Sequence, residues 1–119
     1  IDFSTILNPK AGEWPTFNGN VSGNRYSPLT TINKSNVSKL SAKWTFTIPL
    51  WNLFHPDTPY YRQNMQYFGL ETVPLVVDGV MYMGTMYNRV VALDAETGKE
   101  IWVKNVGNTP STRGIAYWP

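Results

Sequence analysis

The strongest constraint on the fold is a series of short apolar or β-branched segments, separated by gaps of hairpin length, between residues 73 and 104. The first gap is Asp78-Gly79, a dipeptide that favours a two-residue hairpin turn because both positions tolerate positive φ. The segments predict four antiparallel strands, at 73–77, 80–84, 89–93 and 100–104. The sequence therefore predicts an all-β fold containing one four-stranded meander.

Both faces of this predicted sheet carry apolar residues. Leu75, Val76 and Val77 are consecutive, and residues 90–93 are apolar without interruption. Successive residues of a strand point to opposite faces, so each face requires a covering layer. Since the 119 residues contain only one such sheet, we expect part of that cover to come from outside the chain.

Composition excludes several classes of protein. The chain is 42% hydrophobic and 15% charged, which is too apolar for intrinsic disorder, and no apolar run approaches the roughly 20 residues that cross a bilayer. Its net charge is +2 with scattered Lys and Arg, so we predict no nucleic-acid partner. Without Cys, and with His55 as the one His, we predict no metal site within the chain.

The residues before the meander are less regular. Residues 1–41, rich in turn formers with interspersed aromatics, predict an irregular N-terminal arm with one short helix at 34–40. Residues 42–48 alternate apolar and polar side chains, with Trp44 and Phe46 on one face, and predict a strand. Residues 49–71 predict a long loop, and loops of that length are usually functional.

Residues 92–102 resemble the tryptophan-docking repeat of eight-bladed quinoprotein propellers; they read ALDAETGKEIW. In such a repeat Asp94, Thr97 and Gly98 would shape the turn between the third and fourth strands. Trp102 would present its indole to a neighbouring blade. A hairpin with a core Trp accounts for the same residues, so this motif alone leaves both interpretations open.

Four further segments extend the resemblance along the chain, to dehydrogenases that use pyrroloquinoline quinone (PQQ). They are EWPTFNGN at 13–20 and SGNRYSPL at 22–29 in the arm, ETVPLVVDGVMY at 71–82, and RGIAYW at 113–118. The resemblance implies a segment of an eight-bladed β-propeller. It would comprise the closing strand of the last blade at 42–48, a loop at 49–71, the first blade at 72–105 and the start of the second blade at 106–119.

The same resemblance implies two cofactor-binding residues. Glu71 matches the family's acidic residue that contacts PQQ, and Arg113 matches the arginine that holds it. A bidentate guanidinium suits a cofactor with three carboxylates. The alternatives are a surface charge before a strand for Glu71 and a solvated loop cation for Arg113. Many family members also carry two adjacent Cys, at positions that are Gly107 and Asn108 here.

The resemblance further implies oxidation of primary or secondary alcohols, or of sugars, by hydride transfer to the quinone in the periplasm. Electrons would pass to a cytochrome c or a quinone acceptor. Ca²⁺ is expected at the quinone, with its ligands outside this chain, and no catalytic residue is assigned within it. The rest of the propeller, in the same protein or in a second chain, is the expected partner. Two alternatives stay open, a non-enzymatic propeller scaffold and an inactive fragment.

Overall fold

The computed structural model describes residues 3–48, 70–85, 89–107, 110–111 and 113–118. Within them four strands form one antiparallel sheet in the order β1-β2-β3-β4. The strands are β1 Leu75–Val77, β2 Val80–Thr85, β3 Arg89–Asp94 and β4 Glu100–Asn105. The predicted meander is confirmed, although β1 begins two residues later than predicted. Pro74 explains that difference, because its nitrogen has no hydrogen to donate to a strand ladder.

The two defined turns of the sheet follow from their sequences. Val77 pairs with Val80, which leaves Asp78 and Gly79 as a two-residue loop at φ 48° and 74°, as a hairpin with a right-handed twist requires. In the β3–β4 turn, the backbone N–H and the hydroxyl of Thr97 both donate to Asp94 Oδ1 at 2.7 Å. The predicted roles of Asp94 and Thr97 in shaping this turn are therefore confirmed.

Burial is uneven across the sheet. Within the sheet, the hydrophobic side chains that are at most 2% exposed are Leu75, Val77, Val91, Ala92 and Leu93, and Pro15 of the arm is buried as well. Three of these are consecutive in β3, so the chain itself shields both faces of that strand. In contrast, all six residues of β4 are exposed, including Trp102 at 42%. The cover that we expected from outside the chain is thus missing at β4 and not at β3.

The N-terminal arm differs from the prediction in its helices. A five-residue helix α1, Phe3–Leu7, was not predicted, and the helix predicted at 34–40 is only a 3₁₀ turn, Val37–Lys39. Asn33 explains the shortening, since its side-chain oxygen accepts hydrogen bonds from the N–H and the hydroxyl of Ser35 and so competes with helical pairing. Neither helix is long and apolar enough to cross a membrane, and the described residues contain no other helix.

Residues 42–48 pair with no strand among the described residues. Their exposure nevertheless alternates, with Trp44, Phe46 and Ile48 half-buried between exposed neighbours. Trp44 lies on the β3–β4 turn, where its Nε1–H donates to the carbonyl oxygen of Ala95 at 3.3 Å. A Cβ on Gly98 would collide with this indole. The role of residues 42–48 as a closing strand stays a prediction. Residues 49–69, which include His55 and most of the predicted loop, lie outside the described residues.

Candidate functional site

Two segments that are distant in sequence meet the free edge of β1. Trp14 in the arm forms an antiparallel bridge with Val76, with N–H to oxygen distances of 2.7 and 2.9 Å. Gly114 forms a parallel bridge with Val73, where the Val73 N–H donates to the carbonyl oxygen of Arg113 at 3.3 Å. Val73, before Pro74, is therefore bridged to Gly114, whereas Val76, after Pro74, is bridged to the arm.

The Val73–Gly114 bridge joins the two segments that carry the predicted cofactor residues, since Arg113 directly precedes Gly114 and Glu71 lies two positions before Val73. It sets the backbone of Thr72, next to Glu71, beside that of Arg113. The side chains of Glu71 and Arg113 are both exposed, and the ion pairs of the described residues do not join them. A carboxylate and a guanidinium that do not neutralise each other leave an acceptor and a fork of donors for a ligand.

Gly114 allows this close approach. Its φ is 125°, a conformation that residues with a side chain rarely adopt. A Cβ on Gly114 would lie 3.0 Å from the carbonyl oxygen of Val73, which is too close for an ordinary contact. Its N–H donates to the carbonyl oxygen of Ser111 at 3.1 Å, so a turn ends here. The Arg113-Gly114 dipeptide thus combines a candidate cofactor-binding side chain with a backbone conformation that glycine readily adopts.

Thr72 directly follows Glu71, and the sequence analysis assigned it no role of its own. Its Oγ1 is buried and has no hydrogen-bond partner among the described residues, and it lies 3.5 Å from the position that a Cβ of Gly114 would occupy. Burying a hydroxyl without a partner costs about 1–3 kcal/mol. Threonine is common in strands, so no sequence signal distinguishes this one from an ordinary strand residue.

The arm is fastened at the opposite end of β1 by a clip of three charged residues, Lys10, Glu13 and Asp78. The Glu13 side chain is 8% exposed, and its carboxylate accepts the N–H of Asp78 at 3.2 Å and the N–H of Lys10 at 3.1 Å. Lys10 Nζ lies 3.2 Å from Asp78 Oδ1, and this hydrogen bond and charge raise the pKa of Lys10 above its ordinary value. The clip ties the arm to the β1–β2 turn.

An open groove of about 310 Å³ separates the arm from β1. Its walls are formed by Trp14, Phe17, Arg25, Val73, Pro74 and Val76. The arm itself already engages the one charged group, because the Arg25 guanidinium lies 4.7 Å from the centre of the Phe17 ring and its Nε–H donates to Asn18 Oδ1 at 2.8 Å. Glu71, Thr72 and Arg113 are not among the described residues that line this groove.

Comparison with known proteins identifies the family. A family model described as the PQQ-dependent glucose/ethanol/alcohol dehydrogenase β-propeller domain matches residues 14–119. The chain belongs to this PQQ propeller family. It is 38% identical over 117 residues to the dehydrogenase subunit of the quinone-linked alcohol dehydrogenase of Gluconobacter oxydans, a match that covers 90% of this chain and 13% of that protein. Methanol dehydrogenase [cytochrome c] subunit 1 of Methylobacterium organophilum is 34% identical over 125 residues, 17% of its length.

Solved structures of PQQ propeller proteins agree with this membership. The quinohemoprotein alcohol dehydrogenase ADHIIG of Pseudomonas putida HK5 superposes with a TM-score of 0.75 at 28% identity, over 99% of this chain and 17% of that one. The quinohemoprotein alcohol dehydrogenase of Comamonas testosteroni gives a TM-score of 0.71 at 29% identity, with the same coverage. The predicted family and propeller fold are confirmed, and the chain spans less than a fifth of these relatives.

Within this PQQ propeller segment, the described residues contain no group of three or more His, Cys, Asp or Glu side chains that could hold a metal ion. His55 lies outside them. The candidate site of this segment therefore consists of hydrogen-bonding and charged groups around the Val73–Gly114 bridge, namely the Glu71 carboxylate, the Thr72 hydroxyl and the Arg113 guanidinium.

Proposed function

We propose that this chain forms part of a PQQ-dependent dehydrogenase that oxidises primary or secondary alcohols, or sugars. The observation that carries the proposal is the Val73–Gly114 bridge, which sets Glu71 and Arg113 at one end of the β1 edge. The relatives support the reaction class, since those compared above are quinone-linked, quinohemoprotein and cytochrome-linked alcohol dehydrogenases by name.

The chemistry of the site fits PQQ, a flat cofactor with three carboxylates. The exposed Arg113 guanidinium can pair with one carboxylate through two parallel hydrogen bonds. Glu71 offers an acceptor for a protonated ring nitrogen or carboxyl group on the same ligand. When bound, the quinone supplies the hydride-accepting chemistry, and the protein contributes binding, orientation and electrostatics. With Gly107 and Asn108 at the positions of the paired cysteines, other groups must pack on the quinone ring.

The remaining parts of the proposal concern groups beyond this chain. We propose Ca²⁺ beside the quinone, because a hard cation with oxygen ligands suits carboxylate and carbonyl groups. A cytochrome c or a quinone is the proposed electron acceptor. Two relatives carry a cytochrome c link in their names, the methanol dehydrogenase and the 1-butanol dehydrogenase of Thauera butanivorans. The proposed location is the periplasm.

The proposed partner of this segment is the rest of the propeller. Trp44 lies on the β3–β4 turn, yet residues 42–48 pair with no strand of the sheet in the part of the chain that the structure describes. A strand of a neighbouring blade would make this kind of contact. On β4, Trp102 contacts Tyr82 at a ring-centroid distance of 6.0 Å and still leaves 42% of its surface exposed. This surface suits the next blade.

The proposal predicts PQQ binding by the complete protein that carries this segment. Arg113→Ala should weaken PQQ binding roughly 10- to 100-fold, because a charged hydrogen-bonding group is lost. The affinity is measured by titrating the cofactor-free protein with PQQ in the presence of Ca²⁺. Quenching of tryptophan fluorescence reports binding. Arg25→Ala is the matched control, since it removes a guanidinium that Phe17 and Asn18 already hold, and it should leave the affinity unchanged.

A second assay separates the enzyme from the scaffold alternative. The PQQ-loaded protein should reduce an electron-accepting dye when ethanol or glucose is added. No uptake of PQQ by the wild-type protein would contradict the proposal and favour a scaffold. Equal loss of affinity in Arg113→Ala and Arg25→Ala would remove the specific role of Arg113.

A further inference from the structure

We propose that the Thr72 hydroxyl donates a hydrogen bond to an oxygen atom of the bound quinone cofactor, between the groups contributed by Glu71 and Arg113. This inference rests on the proposed function and deepens it. It adds a binding residue that the family resemblance does not supply, and it follows from the contacts around Thr72.

The hydroxyl of Thr72 lacks a hydrogen-bond partner in the part of the chain that the structure describes. Thr72 Oγ1 is buried, and neither backbone nor side-chain groups of the described residues hydrogen-bond to it. Buried hydroxyls nearly always have a partner, and an exception calls for an explanation such as a group that arrives later. Valine has the same shape and would fill the position without an unpaired polar group. A threonine here is therefore explained if a ligand completes its hydrogen bonding.

The position of the Thr72 hydroxyl also favours a role in cofactor binding. The Thr72 hydroxyl faces the Arg113–Gly114 backbone, 3.5 Å from the point where a Cβ on Gly114 would lie, and the residue directly follows Glu71 in sequence. The side chains of Glu71 and Arg113 are both exposed. Thr72 is thus the one hydroxyl without a partner between the two groups to which we assign the cofactor, within the residues that the structure describes.

A hydroxyl is a suitable hydrogen-bond donor for the oxygen atoms of this cofactor. The ligand oxygens of an ionised carboxylate or of a quinone carbonyl only accept hydrogen bonds, and a hydroxyl beside a guanidinium adds a neutral donor to a charged one. The hydroxyl is shielded from water, so a local shift of the protein must uncover it when the cofactor enters. Once water is excluded again, the hydrogen bond is strengthened by the low local dielectric.

A second unpartnered hydroxyl provides a matched control. Thr16 Oγ1 is also buried without a partner among the described residues, but Thr16 belongs to the arm, two positions after Trp14 in the sequence. Replacing either threonine by valine removes the same atom and keeps the same shape. Only the change at position 72 should affect the cofactor.

The test uses the complete protein without cofactor and measures two quantities. The first is the dissociation constant of PQQ, from tryptophan fluorescence in the presence of Ca²⁺. The second is the thermal unfolding midpoint without PQQ. Thr72→Val should raise the dissociation constant about tenfold without lowering the midpoint. Thr72→Ser keeps the hydroxyl and should stay within about twofold of the wild type. Thr16→Val should leave the dissociation constant unchanged.

The outcomes distinguish this inference from the proposed function. If the wild-type protein takes up no PQQ, both are overturned. If it binds PQQ and Thr72→Val binds equally well, only the role of Thr72 is overturned. The same conclusion follows if Thr72→Ser loses as much affinity as Thr72→Val, or if Thr16→Val weakens PQQ as strongly. If Thr72→Val does not fold, the hydroxyl has a structural role in the cofactor-free protein, and the inference is again overturned.

Discussion

The two edges of the sheet differ in what covers them. At the β1 edge, Trp14 and Gly114 form backbone bridges to Val76 and Val73, so residues from the two ends of the chain occupy it. At the other edge, every residue of β4 is exposed, and no described strand pairs with its free side. One edge is bridged by other residues of this chain, and the other is unpaired in the part of the chain that the structure describes.

This difference shows how a propeller segment divides its tasks. An unpaired edge strand is prone to associate with other strands, and the covered β1 edge is also where Glu71, Thr72 and Arg113 lie. Covering that edge with the segment 113–114 brings the candidate ligand-binding groups together. The open β4 edge exposes the apolar residues Ile101, Trp102 and Val103, which suit packing against another blade.

The largest expected effect compares the same residue type on the two edge strands. Val77 in β1 is 1% exposed, whereas Val103 in β4 is 39% exposed. Val77→Ala should lower the free energy of unfolding by about 1.5–3 kcal/mol, because buried methyl groups are removed from a packed core. Val103→Ala should cost less than about 1 kcal/mol. Urea unfolding of the 119-residue chain, followed by tryptophan fluorescence, measures both, and equal losses would contradict the difference between the edges.

An intermediate effect is expected for the clip that holds the arm. Glu13→Ala removes the acceptor for two backbone N–H groups, on Lys10 and Asp78, and should cost about 1–2 kcal/mol. Glu96→Ala is the control, since its ion pair with Lys43 is exposed on both sides and should contribute less than about 0.5 kcal/mol. Amide hydrogen exchange should show faster exchange at Trp14 only in Glu13→Ala. Unchanged protection there would show that the clip does not secure the arm.

The smallest expected effect concerns pH at the β3–β4 turn. Hydrogen bonds from the hydroxyl and the N–H of Thr97 lower the pKa of Asp94 below its ordinary value of 3.8. A lowered pKa in the folded state means that this stabilisation is complete above the unfolded pKa and is lost as the pH falls through the folded one. Thr97→Val should therefore raise the pKa of Asp94, and Thr97→Ser should not. A carboxyl titration by NMR would contradict this if both variants matched the wild type.

Sequence patterns predicted the elements that local chemistry determines. The Asp78-Gly79 turn, the Asp94–Thr97 turn and all four strands follow from residues close together in the chain. The short helix at 34–40 was predicted too long, because the hydrogen bonds from Ser35 to the Asn33 side chain were not recognised as competitors. Helix α1, Phe3–Leu7, was not predicted, since five residues make little more than one helical turn and carry little pattern.

The candidate site was only partly predictable. Glu71 and Arg113 were selected through the family resemblance, and the structure joins the segments that carry them at the Val73–Gly114 bridge. Thr72 could not be selected, because its significance depends on an unpaired hydroxyl and on the approach of Gly114. The clip of Lys10, Glu13 and Asp78 was likewise out of reach, since the Glu13–Asp78 hydrogen bond joins residues 65 positions apart, and no local pattern encodes such a contact.

These long separations also imply an order of folding. Each hairpin of the meander closes a short loop, which is rapid and costs little entropy. The contact of Trp44 with Ala95 spans 51 positions and that of Glu13 with Asp78 spans 65, so each becomes favourable only after the turn that it contacts has formed. We therefore expect the sheet to act as the folding nucleus and the N-terminal arm to dock last, although it leaves the ribosome first.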